Sequence, residues 1–200
     1  MGVLSKAEEL KWLTREQHQA LEGRIVKIIR KAESIQDYHH LLRFFYGFFK
    51  PVESLALRFI DVNVLPDIGK RRKSGLLMKD LRALDGEIHP IPVTTHLPNI
   101  HNLTTAFAAF YVLEGSTIGG KHILTMLRQR IVLPGRDGVL FFTGYGDDTP
   151  GRWNAFRAVL NQQFTRQGDM EELSATANET FQAFSCWAEA NYIYARKEKL

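Results

Sequence analysis

The chain has one cysteine, Cys186, in 200 residues. That excludes an intrachain disulfide and a thiolate metal cluster, and it suits a reducing cytoplasm. No uninterrupted apolar run approaches membrane-spanning length, so a soluble protein is expected. The start, Met1-Gly2-Val3-Leu4-Ser5-Lys6, lacks the apolar core of a secretory leader, and Lys6 stands where a myristoylation signal needs a hydroxyl residue. A large charge imbalance is missing too. Lys and Arg total 26 against 22 Asp and Glu, a net +4. The signs are interleaved and there is no basic recognition helix, which argues against nucleic acid as a partner. There is no nucleotide-binding glycine fingerprint after a strand and no pair of Glu-x-x-His motifs for a di-iron site. Without repeats or a linker, residues 1–200 read as one domain with one core.

What is present is helical period almost throughout. From Leu4 to about Lys31 the residues Leu10, Leu13, Leu21, Ile25, Ile28 and Ile29 keep a helical spacing, and a bend or close packing is expected at Gly23. Ser34 with Asp37 marks the next start, and a stripe through Tyr38, Leu41, Leu42, Phe45, Phe48 and Phe49, read as plain core, runs to Pro51, which should end or kink the helix. Glu53 to Val62 predicts a third helix. Lys70-Arg71-Arg72-Lys73 reads as a solvated basic run, with docking of an acidic partner as the alternative. Ser74 to Leu84 predicts a helix, and Asp85 to Pro98 a loop whose His89 and His96 face solvent. Asn99 to Gln129 is an apolar helix. Val139-Leu140-Phe141-Phe142 predicts a short extended piece. Thr149-Pro150 opens another helix, and Asp169 or Met170 opens the last. The fold class is all-α.

Two stretches carry chemistry. In the first, Lys11, Thr14, His18, Leu21 and Ile25 share one helix face. His18 is either a half-buried core imidazole or an axial ligand to a flat metal-bearing cofactor. Lys11, about 10 Å away along the helix axis, is placed to meet a charged edge of that cofactor. In the second, Gly115, Gly119 and Gly120 interrupt a buried helix. Gly115 and Gly119 stack on one face and leave bare backbone. Either another helix packs closely there, or a planar ligand lies against the backbone, with Ser116 and Thr117 offering hydroxyls.

At these residues the chain resembles the haem oxygenase family, and in particular its bacteriophytochrome-associated bacterial branch. Thr14-Arg15-Glu16-Gln17-His18-Gln19-Ala20-Leu21-Glu22 is similar to the family's proximal-histidine segment. Tyr111-Val112-Leu113-Glu114-Gly115-Ser116-Thr117-Ile118-Gly119-Gly120 is similar to its distal glycine motif. The resemblance implies a single-domain haem oxygenase-like bundle that binds haem b and cleaves it with O2 and external electrons to biliverdin, carbon monoxide and ferrous iron. It makes His18 the iron ligand, oriented by Glu22. Lys11, with Arg152 and Arg157, would meet the propionates. Gly115, Ser116, Gly119 and Gly120 would line the distal side, and Gly115, Ser116 and Gly119 would take part in catalysis. Many members carry aspartate where Ser116 stands, and a tyrosine where Phe110 stands. A ferredoxin or reductase would supply electrons, and a bacteriophytochrome would be a possible recipient of biliverdin. His122 is expected beyond the haem edge. The alternative is a haem carrier or sensor without turnover.

Overall fold

A computed structural model describes residues 4–71, 74–85, 90–166 and 168–197. Eight α-helices carry the described fold: α1 (Lys6–Leu13), α2 (Arg15–Ile29), α3 (Ile35–Ala56), α4 (Gly75–Asp85), α5 (Leu103–Arg128), α6 (Leu140–Thr143), α7 (Thr149–Gln163) and α8 (Asp169–Lys197). No strand occurs among the described residues, so the all-α expectation holds. None of their helices is long and apolar enough to cross a membrane.

The centre of the bundle is α5. Every residue from Thr105 to Glu114 is buried, as expected of a helix apolar on all sides and surrounded by others. It packs on α8, α3, α6 and α7, while α8 also supports α2. Arg24 of α2 pairs with Glu189 of α8. The aromatic stripe of α3 is core: Phe48 stacks on Phe184 of α8 with ring centroids 4.2 Å apart.

Local chemistry sets the helix ends. Capping boxes at Ser5–Glu8, Ser34–Asp37 and Asn102–Thr105 start α1, α3 and α5 by satisfying amides that have no partner within the helix. The expected continuous helix from Leu4 to Lys31 instead breaks at Thr14, which ends α1 and begins α2. The Thr14 hydroxyl is buried and donates to the Leu10 carbonyl at 2.8 Å, a back-bond of the kind that bends helices. Gly23 lies inside α2, with nothing within 4 Å of its Cβ position. No close packing operates there.

Pro51 neither ends nor caps α3, which continues to Ala56. Proline cannot bond the carbonyl four residues back. That carbonyl, of Gly47, accepts the Thr94 amide instead, at 2.9 Å. The separate helix expected over Glu53 to Val62 is absent: its first residues belong to α3. Beyond them Asp61 draws the Asn63 and Val64 amides into a side-chain turn at 2.9 and 3.2 Å. The piece expected to be extended at 139–142 is mostly the short helix α6. Its first amides, of Leu140 and Phe141, donate to the buried Asp80 carboxylate at 2.7 and 2.8 Å. A cap borrowed from α4 thus supports a helix too short to stand alone. Thr149-Pro150 does sit in the first turn of α7, whose N-cap is Asp148. His96 is exposed, and His89 lies outside the described residues.

Candidate functional site

The site is built where α2 and α5 approach each other over α8. At the root of this approach the Tyr111 side chain of α5 pairs with that of Thr14, and burial pushes the Tyr111 phenol above its usual range. Tyr111 also meets Trp153 of α7, ring centroids 5.3 Å apart. His18 lies one turn beyond Thr14 on α2, and Gly115 one turn beyond Tyr111 on α5, so both segments leave a shared contact.

His18 is not core. Its imidazole is exposed and is flanked by the buried ring of Phe181 on α8, at a centroid distance of 5.4 Å. Glu22 is exposed one turn on. Because the helix breaks at Thr14, Lys11 belongs to α1 and does not extend the His18 face along one axis. It remains exposed. Arg157 of α7 is part-buried, and its charge acts on Tyr111 and on Glu8 of α1.

The glycines of α5 divide by environment. A Cβ on Gly120 would lie 2.2 Å from the Phe142 carbonyl oxygen, so this glycine admits α6 against the helix. At Gly115 a Cβ would touch the Trp153 ring at 3.4 Å, and at Gly119 it would meet nothing within 4 Å. Ile118 beside it is 50% exposed. Close helix packing therefore accounts for Gly120 alone, while Gly119 presents bare backbone to open space. Ser116 donates its hydroxyl proton to the Leu113 carbonyl at 2.6 Å, and Thr117 donates to Glu114 at 2.7 Å. His122 is exposed farther along α5.

Behind α5 lies a buried polar cluster that sequence reading missed. Arg71, expected within a solvated run, has a side chain 0% exposed and pairs with Glu114, 1% exposed, at 2.8 Å. Its neighbours Arg72 and Lys73 fall outside the described residues. Arg71 also donates to Asp67 at 2.9 Å and to the Arg152 carbonyl at 3.1 Å. The Tyr145 hydroxyl donates to Glu114 at 2.8 Å. Arg152 is engaged by Asp67 at 3.1 Å and Asp148 at 2.8 Å. The signal for this cluster was Glu114 itself, a carboxylate directly after an apolar run, since a charge buried there needs a partner.

A central glycine-bearing helix, facing a helix with an exposed histidine and joined to it through a common support, defines an all-α haem oxygenase-like bundle. The chain belongs to the haem oxygenase family, whose model, described as heme oxygenase, matches residues 4–190. It is 34% identical over 115 residues to a heme oxygenase of Xanthomonas campestris pv. campestris (strain 8004), a match spanning 57% of this chain and 66% of that relative. Among solved structures, the NO- and CO-bound heme oxygenase from Neisseria meningitidis superimposes with a TM-score of 0.78 at 21% identity, covering 94% of this chain and 92% of that one. The heme oxygenase from Leptospira interrogans gives 0.73 at 18%, covering 92% and 98%. At these identities the two structures speak for the fold.

Proposed function

We propose that the protein is a cytoplasmic enzyme that binds haem b between α2 and α5 and cleaves it with O2 to biliverdin, carbon monoxide and ferrous iron. Electrons come from an external donor such as a ferredoxin or a reductase, and a bacteriophytochrome is a fitting recipient of the product. The observation that carries this reading is the pairing, in a chain of this family, of an exposed imidazole on α2 with open backbone at Gly119 on α5. A flat apolar ring needs those surfaces: a nitrogen ligand on one side, and on the other a wall without side chains, beside the exposed apolar Ile118. The residues present fit the group.

Bound haem supplies the iron that activates oxygen and the ring that is attacked. His18 would ligate through a neutral imidazole nitrogen, and Glu22, one turn on, would orient the ring. Lys11 would meet a propionate, with Arg157 as a second cation. Arg152 is a weaker partner, because Asp67 and Asp148 already hold its guanidinium. Gly115 and Gly119 would let the α5 backbone approach the ring and exclude bulk water, whereas the space over Gly120 is taken by the Phe142 carbonyl of α6. Ser116 commits its own proton to Leu113, so its role would be to orient a water that relays protons.

Hemin titration of the purified protein tests the reading, followed by aerobic reduction and chromatography of the product. A Soret band that shifts in His18→Ala, together with biliverdin from the native chain, is the expected result. A stable six-coordinate spectrum without turnover would identify a carrier or sensor instead. No hemin binding at all would overturn both.

A further inference from the structure

A buried ion pair is a costly way to hold a helix, because desolvation consumes most of what the attraction contributes. Its distinguishing property is direction. An apolar contact tolerates a small rotation of a helix, whereas a carboxylate held by two donors does not. Glu114 is such a carboxylate: Arg71 Nη1 and the Tyr145 hydroxyl both donate to its Oε1, each at 2.8 Å. Arg71 is fixed in turn by Asp67 and by the Arg152 carbonyl. It also lies over the Phe156 ring, 5.5 Å from the centroid.

Glu114 immediately precedes Gly115. Five residues further on, Gly120 is clamped by the Phe142 carbonyl of α6. The segment from Gly115 to Gly119 is thus bracketed by a charge cluster at one end and a backbone contact at the other. Within it the Ser116 and Thr117 hydroxyls bond back to the helix carbonyls of Leu113 and Glu114, which favours bending. Gly119 and Ile118 lie open.

We propose that Glu114 is a positioning residue: held by Arg71 and Tyr145, it fixes the rotation of α5 so that the Gly115–Gly119 backbone, and no other part of the helix, forms the wall against which the substrate ring rests. It touches no reacting atom. The proposal rests on the haem-cleaving reading for its consequence, but its mechanical part can be tested in the haem-free protein.

The experiment compares the native chain with Glu114→Gln and Tyr145→Phe. The second variant removes one donor while leaving the Arg71 pair, which guards against a Glu114 variant that fails to fold. Hydrogen exchange is followed in the haem-free proteins for the amides of residues 115–119 and, as reference, of α3. The isomer ratio of biliverdin is then measured in turnover. The expected result is exchange about tenfold faster at 115–119 with α3 unchanged, the size expected for losing one hydrogen bond to a charged group, together with an altered isomer ratio. Exchange that is unchanged at 115–119, or that rises equally in α3, overturns the proposal, as does an isomer ratio that stays fixed while exchange rises. If the native chain binds no hemin, the haem-cleaving reading fails and the exchange result still decides whether Glu114 holds the helix.

Discussion

Thr94 donates its amide to the carbonyl of Gly47, 2.9 Å away, and this is the carbonyl that Pro51 leaves without a partner inside α3. The loop from Pro90 is thereby docked on the helix. Gly47 is required for it, because a Cβ there would lie 2.5 Å from the Trp187 ring and 2.6 Å from the Pro92 carbonyl oxygen. Gly47→Ala should therefore destabilise the protein by about 1–3 kcal/mol through overpacking. Gly23→Ala, at an open helical site, should stabilise it by up to about 1 kcal/mol. Denaturant midpoints of the two variants check both signs.

The glycines of α5 should separate in the same way. Gly120→Ala drives a methyl into the Phe142 carbonyl and should lower stability by about 1–3 kcal/mol while loosening α6. Gly119→Ala has open space and should leave the haem-free protein equally or more stable, yet weaken hemin binding by narrowing the wall. Thermal melts and hemin titrations on the same two variants distinguish folding from binding.

Asp80 is 0% exposed, and burial raises its carboxyl to about 6 in spite of two amide donors from α6. In the unfolded chain an aspartate titrates near 4. Between about pH 4 and 6 the folded state therefore holds the proton more tightly, and this group's contribution to stability declines as pH rises through that window. It is constant above about 6. The span corresponds to roughly 3 kcal/mol. Asp80→Asn should flatten the pH dependence of the melting temperature between about pH 4 and 6.

Tyr38 is fully buried, and its hydroxyl donates to the Gly138 carbonyl at 2.8 Å, anchoring the turn before α6. Tyr38→Phe leaves that carbonyl without this donor and should cost about 1–3 kcal/mol. Chemical denaturation of the variant measures it.

Much of the architecture was legible in the chain because helix formation here is local. The Ser34–Asp37 capping box, the apolar stripe of α3 and the glycine-bearing run of α5 announce themselves by spacing, and the single domain of helices follows from them. The candidate site was legible as two segments. His18 and the Gly115–Gly120 run could be named from residue type and family resemblance, but which glycine packs and which stays open could not, since that depends on what lies opposite. Gly120 meets α6, Gly115 meets Trp153, and Gly119 meets nothing within 4 Å.

Tertiary structure decided where partners came from distant sequence. Arg71 reads as solvated because its neighbours are basic, and it is buried because Glu114, Asp67 and the Arg152 carbonyl surround it. Val139 to Phe142 reads as extended by its β-favouring residues, and most of it turns helical because Asp80, far away in sequence, caps it. Pro51 reads as an end or a kink, and α3 passes through it because Thr94 takes the vacant carbonyl. Periodicity and capping are properties of neighbouring residues, so the sequence alone determined the long helices α3, α5 and α8 and the single apolar core. Charge burial, borrowed caps and replaced hydrogen bonds need partners across the fold, and those only the packed chain could settle.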